Sequence, residues 1–131
     1  MVRVVAGVVL RQGRVLAAQR PADKRMGGLW EFPGGKVEEG EDDATALARE
    51  LYEELRIVVD VGECLGETVT VEERGAFRLV AYKATIRSGT PTLLEHQQMR
   101  WCCPNELDDL DWAPADVPFV KRLVSGSVSG T

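Results

Sequence analysis

The sequence predicts an α+β domain or a mixed β-sheet held between helices. Three observations carry that expectation. β-rich apolar runs fill most of the chain. One long run with helical periodicity interrupts them, and a second, shorter one lies near the end, so the order is strands, helix, strands, helix. With 131 residues, 44% hydrophobic and 28% charged, the chain can build one ordinary core, and residues 1–131 read as a single domain.

The elements follow in order. Val2–Leu10 and Arg14–Arg20 are β-rich and separated by a short "RQG", which predicts a hairpin. No small-residue cleavage site follows the first run, so it reads as a strand and not as a signal peptide. Pro21–Pro33, with Gly27, Gly28 and two prolines, reads as a loop, and Gly34-Gly35 as a turn. From about Asp42 to Leu55 the residues Ala44, Leu47, Ala48, Leu51 and Leu55 recur at helical spacing and form one apolar stripe. Ile57–Glu72 and Ala76–Ile86 alternate as strands around "ERG". After an "SGTP" turn come a short strand, Met99–Cys103, a helical turn, Pro104–Leu110, and a last helix, Val117–Val124. Residues 125–131 are low in complexity and read as a frayed tail.

Composition narrows the function. A net charge of −5 disfavours binding to a nucleic-acid polymer, which needs a basic face. No apolar run reaches the roughly 18 residues of a membrane span. Cys64, Cys102 and Cys103 are odd in number, with no C-x-x-C, and His96 is the only histidine. That pattern argues against a disulfide framework or a zinc motif and fits thiols in a reducing cytoplasm. His96, standing alone, reads as structural.

The acidic helix asks for an explanation. Glu50, Glu53 and Glu54 stand at i, i+3 and i+4, on one face and away from the apolar stripe. Each like-charged i,i+4 pair costs a few tenths of a kcal/mol, and Arg49 alone does not neutralise the patch. One reading is a plain solvated face. The other is a site for a hard divalent cation, which bridges carboxylates to substrate phosphates. Glycines just ahead of the helix, where a backbone can approach a ligand, favour the second. Gly34-Gly35-Lys36 is not a P-loop, because Val37 follows the lysine and the upstream glycine spacing fails.

Asp116, in "PADVP", admits two readings. An ionised aspartate only accepts hydrogen bonds and would suit the amine of cytosine or the N–H edge of a guanine-type base, over uridine or thymidine. Alternatively it caps the last helix. Trp30 and Phe32 read either as base-pocket walls or as core, and Phe77 and Trp101 as core.

Gly35, Glu41 and "RELYEELRI" (Arg49–Ile57) complete a specific pattern. It resembles the Nudix box, G-x5-E-x7-R-E-U-x-E-E-x-G-U, matched at Gly35, Glu41, Arg49, Glu50, Leu51, Glu53, Glu54 and Ile57. Arg56 stands where the family has glycine. "LAAQRP", "GLWEFPGGKVE", "EHQ" and "PADVP" are similar to the MutT-like branch, including its CTP-hydrolysing members. The resemblance implies the Nudix fold and hydrolysis of a nucleoside triphosphate to a monophosphate and pyrophosphate with Mg²⁺ or Mn²⁺. It implies substrates such as 8-oxo-dGTP or CTP/dCTP, and a monomer or homodimer. It implies metal ligands Glu50, Glu53, Glu54 and Glu95 with the backbone of Gly34 and Gly35, and a catalytic group of Glu50, Glu53, Arg49 and Glu41, with Glu50 the favoured base and Glu53 next. Arg20, Glu31, Phe32, Gly34 and Asp116 would contact the substrate. A hydrolase of ADP-ribose or dinucleoside polyphosphates, or a non-catalytic Nudix-fold binding module, remain the alternatives.

Overall fold

Val5, Val8 and Val9 of the first strand are fully inaccessible to solvent, as a strand is when its sheet is covered on both faces. The computed structural model, which describes residues 1–126, places this strand, β1 (Val2–Arg11), at the centre of a seven-stranded mixed sheet. β2 (Arg14–Gln19) pairs with its end at Leu10↔Val15. The hairpin turn holds Gln12 and Gly13 at φ 52° and 76°, the left-handed pair that a tight hairpin of right-twisted strands requires. β3 (Trp30–Glu31) lies beside β2, and β4 (Gly34–Lys36) lies antiparallel to β1. β5 (Val58–Glu72) and β6 (Gly75–Ser88) form a long hairpin whose second strand runs parallel to β1, from Val2↔Phe77 to Leu10↔Thr85. β7 (Gln98–Cys102) completes the sheet on β2.

Two apolar layers sandwich the sheet. Ala46, Leu47, Leu51 and Leu55 of α1 (Asp43–Leu55) pack on Val5, Val9, Leu16, Ile57 and Ala84. On the other face Phe119, Val120 and Leu123 of α2 (Val117–Val124), with Leu107 and Trp112, cover Ala6, Val8, Leu10, Ala17 and Ala81. Each buried leucine or phenylalanine contributes about 1.5–3 kcal/mol, so both helices are held chiefly by packing.

The expected helices and the four longer strands are present, with ends shifted by one or two residues. Three local expectations need correction. Gly34-Gly35 is not a turn but the start of β4, and neither glycine has a positive φ. What forbids a side chain at Gly34 is the close approach of β1: a Cβ there would lie 2.0 Å from the Val5 carbonyl oxygen. The segment read as loop up to Pro33 contains β3, whose Trp30 N–H bonds the Asp111 carbonyl at 2.9 Å. Ala44 is exposed, and Ala46 joins Leu47, Leu51 and Leu55 in the buried stripe, which extends toward the Glu50 and Glu54 side of the helix. A 3-10 turn, Pro114–Asp116, leads into α2 and was not anticipated. The expected frayed tail falls largely on residues 127–131, which lie outside the described residues.

Candidate functional site

The acidic helix is fixed first at its start. Asp42 caps it by accepting the Thr45 N–H at 2.8 Å. Asp43 accepts two hydrogen bonds from Arg3 of β1, at 2.6 and 2.7 Å, and one from the Tyr82 hydroxyl of β6, at 2.5 Å. The helix is thereby tied to two sheet strands within one turn of its N-terminus. Its inner face then meets β4, where a Cβ on Gly35 would lie 2.3 Å from the Glu50 carboxyl carbon. Gly35 is glycine because Glu50 occupies that space.

Arg49 organises the carboxylates. Its guanidinium donates to both oxygens of Glu41, at 2.8 and 2.9 Å, to Glu50 at 3.0 Å, to Glu53 at 3.1 Å and to the Lys36 carbonyl at 3.1 Å. That fan fixes helix, preceding loop and β4 together. The Arg49 guanidinium holds the Glu41 carboxyl down at about 2, helped by the Glu38 N–H. The three helix glutamates were expected on one face away from the apolar stripe, but they differ widely in exposure, and the plain solvated-face reading fails at Glu54. The Glu53 side chain is 54% exposed, Glu50 19% and Glu54 only 7%. Burial, and then the adjoining Glu50, Glu31 and Glu95 carboxylates, push the Glu54 carboxyl far above the ordinary range. Its Oε2 is buried without a hydrogen-bond partner among the described residues.

His96 faces Glu54 from the segment before β7. Gln97 N–H bonds the Gln19 carbonyl at 2.9 Å, and Thr92 N–H bonds the Leu55 carbonyl at 3.0 Å, so this segment is clamped between β2 and the end of α1. His96 Nε2 lies 2.9 Å from Glu31 Oε2 and 3.7 Å from Glu54 Oε1.

Two cavities adjoin here. A polar one of about 500 Å³ is lined by Glu50, Glu54, Glu95, His96 and Lys24 among others. A more apolar one of about 420 Å³ is lined by Phe32, Phe77, Leu79 and Met26, with Asp116 in its wall. Arg20, Glu31 and Gly34 line both. Arg20 donates to Glu31 at 2.9 Å and to the Arg25 carbonyl at 2.7 Å, bracing the shared wall. Arg25 pairs with Glu72, and its guanidinium carbon lies 5.6 Å from the centre of the Phe77 ring.

Asp116 is 5% exposed and accepts the Phe32 N–H at 3.4 Å. It makes no helix-capping side-chain bond, which removes the capping alternative. Burial raises its carboxyl to about 8, the Glu31 charge adding to the effect. Burial thus favours the protonated carboxyl, which donates as well as accepts. That direction weighs against the reading of Asp116 as an acceptor-only carboxylate, and with it the argument against carbonyl-bearing bases.

Of the sequence-predicted residues, Glu50, Glu54, Glu95, Glu31, Arg20 and Gly34 meet at the polar cavity, and Phe32, Gly35 and Asp116 at the apolar one. Glu41, Arg49 and Glu53 lie along the outer side of the same helix and loop. Trp30 is core, while Phe77, read as core, lines the apolar cavity. His96, Arg25 and Glu72 were missed. Only His96 gave a signal, as the sole histidine directly after Glu95.

The residues fit a divalent cation: Glu54, whose Oε2 is buried and unpartnered among the described residues, lines a cavity together with Glu31, Glu50, Glu95 and His96. Glu31, Glu54 and His96 present ligand atoms within 4.8 Å of one another.

Known proteins place this arrangement. Residues 1–123 match the NUDIX domain. The "CTP pyrophosphohydrolase" of Escherichia coli is 41% identical over 95% of this chain and 93% of its own. The "8-oxo-dGTP diphosphatase" of Proteus vulgaris is 50% identical over 47% of this chain and 54% of its own. The solution structure of the Escherichia coli ORF135 protein superposes with a TM-score of 0.85 at 39% identity, covering 98% of this chain and 92% of that one.

Proposed function

The chain belongs to the NUDIX domain family, and from that premise we propose that it is a MutT-like pyrophosphohydrolase, converting (d)NTP and water to (d)NMP and pyrophosphate. The observation that carries the reading is the pair of joined cavities, one walled by aromatic and apolar side chains and one by carboxylates, sharing Arg20, Glu31 and Gly34. A nucleoside triphosphate has those two halves, a flat base and a polyanion that needs cations beside carboxylates.

Glu50, Glu53, Glu54 and Glu95, with the backbone of Gly34 and Gly35, would hold Mg²⁺ or Mn²⁺. The bound ion supplies charge neutralisation at the phosphates and a lowered pKa for bound water. Arg49 keeps Glu50 and Glu53 oriented through its hydrogen bonds, and Glu41 locks Arg49. Glu50, with its carboxylate fixed between Arg49 and Gly35, is the base assigned to the attacking water, and Glu53 is the second candidate. Arg20, on the wall the two cavities share, would contact the phosphates.

A neutral Asp116 pairs with an edge that offers one donor and one acceptor. Cytosine offers its N4 amine beside N3. An oxidised guanine offers N7–H beside O6, whereas ordinary guanine presents two acceptors there. The relatives named as a CTP pyrophosphohydrolase and an 8-oxo-dGTP diphosphatase support cytosine and oxidised guanine nucleotides as substrates, and nucleotide-pool sanitisation in the cytoplasm as the role. In a panel of triphosphates with Mg²⁺, the products are nucleoside monophosphate and pyrophosphate. Orthophosphate as the sole product would overturn the reaction class. Turnover confined to ADP-ribose or dinucleoside polyphosphates would move the chain to another branch.

A further inference from the structure

We propose that Arg25 and Glu72 form a clasp at the mouth of the apolar cavity, in which Glu72 holds the Arg25 guanidinium where it covers the flat face of a bound base. The inference rests on the nucleotide reading of the joined cavities and assigns two residues to the base-bearing half.

The cavity has a deep end and an open one. Phe32, Leu79 and Asp116 in its wall are buried. The Arg25 side chain is 41% exposed and that of Glu72 21%, and both line the same space. The two therefore stand at the mouth. They come from different elements: Glu72 ends β5, and Arg25 belongs to the loop between β2 and β3.

That loop is closed on itself. Arg20 N–H bonds the Leu29 carbonyl at 2.9 Å, Gly28 N–H bonds the Arg20 carbonyl at 3.0 Å, and Lys24 N–H bonds the Pro21 carbonyl at 3.1 Å. A Cβ on Gly27 would lie 2.4 Å from the Ala22 carbonyl oxygen, so the loop leaves no room for a side chain there. Arg20 Nε–H holds the Arg25 carbonyl at 2.7 Å. The backbone of Arg25 is thereby fixed, and the ion pair with Glu72 then fixes its side chain. The guanidinium carbon lies 5.6 Å from the centre of the Phe77 ring, which lines the cavity too. A guanidinium is planar and weakly hydrated and stacks on π faces, so a base entering beside Phe77 meets a group suited to cover it. An ion pair this exposed contributes little to stability and opens at little cost, as the entrance to a binding cavity must. Every base has a π face, so the clasp adds affinity and leaves the choice of base to groups that meet an edge.

The test is calorimetric titration with Mg²⁺ present, using dCMP, 8-oxo-dGMP and inorganic pyrophosphate as probes. Arg25→Ala should weaken both monophosphates at least fivefold and pyrophosphate less than twofold. Unchanged monophosphate affinity, or equal weakening of all three probes, overturns the clasp. So does a loss confined to one base, which would mean an edge contact. Glu72→Ala should weaken both monophosphates at least threefold. The double variant should bind no more weakly than Arg25→Ala alone, because Glu72 acts through Arg25, and losses that multiply would contradict that dependence. Arg25→Lys keeps a charge for Glu72 but loses the plane, and native affinity in that variant would remove the stacking contact. Melting temperatures should stay within about 2 °C of native, and a larger fall would make the pair a structural brace. Native protein that binds neither monophosphate overturns the clasp as well. Binding that depends on Arg25 without hydrolysis of any triphosphate would leave the clasp standing and remove the proposed function, and hydrolysis with native affinity in Arg25→Ala would do the reverse.

Discussion

Asp116 and Glu54 are carboxyl groups held out of water, and both carry a pH signature. A carboxyl that binds its proton more tightly in the folded chain favours folding at low pH. For Asp116 that advantage is lost as pH rises from 3.8, its ordinary value, through about 8. Thermal unfolding of metal-free protein should therefore show falling stability between pH 5 and 8, with a slope of up to about 1.4 kcal/mol per pH unit for each such group. Asp116→Asn should flatten part of that slope while retaining base recognition, because an amide also donates and accepts. A variant with the native slope would mean that Asp116 is ionised in the fold. At Glu50 the prediction is kinetic. Glu50→Gln keeps an oxygen for Arg49 but removes the basic site, and kcat should fall at least tenfold, about 1.4 kcal/mol in barrier, with the nucleotide KM within threefold. A smaller loss in kcat would pass the role to Glu53.

The helix α1 is the element on which the site depends, and its two ends differ. The start is over-determined by Asp42 and by the Arg3–Asp43–Tyr82 cluster. The end is strained: Arg56 sits at φ 58°, ψ 35°, where the family pattern has glycine, and its N–H bonds the Tyr52 carbonyl at 2.9 Å. A side chain in that conformation costs roughly 1 kcal/mol. Arg56 recovers part of it by placing its guanidinium 5.2 Å from the Tyr52 ring centre. Arg56→Gly should raise the melting temperature by about 2–4 °C with kcat unchanged, as calorimetry and steady-state assays would show. A tenfold rise in kcat at constant melting temperature would contradict a purely structural role. The helix was legible from local spacing, and its box residues and this strained end from the resemblance to the Nudix pattern. The burial of Glu54 was not, since it depends on which way the sheet meets the helix. Nor was the role of Gly34-Gly35, because the sequence reports a missing Cβ but not whether a turn or a neighbouring atom requires its absence.

For the whole molecule, the sandwich of sheet and helices could be read from the order of periodic runs. The meeting of Glu31, Glu54 and His96 could not, because their sequence separations carry no spacing rule. The assembled site also makes global stability depend on metal. An ion that binds the folded chain alone stabilises it by about 2.7 kcal/mol at 100 times its Kd. Saturating Mg²⁺ should accordingly raise the melting temperature of chelator-treated protein at pH 8, and less at pH 5, where protons compete for Glu54. No shift at pH 8 would remove divalent ions from the site.

The wall shared by the two cavities has a thermodynamic consequence. Arg20, Glu31 and Gly34 belong to both compartments, so an occupant of either one changes the surroundings of the other. Reciprocity then fixes the sizes: whatever factor a cation adds to nucleotide affinity, the nucleotide must add to cation affinity. Titration in the two orders has to return one coupling free energy, and a substitution at Glu31 alters it in both directions at once. The affinity for nucleotide and the retention of an ion are thus two readings of a single quantity set at the wall that Arg20, Glu31 and Gly34 form.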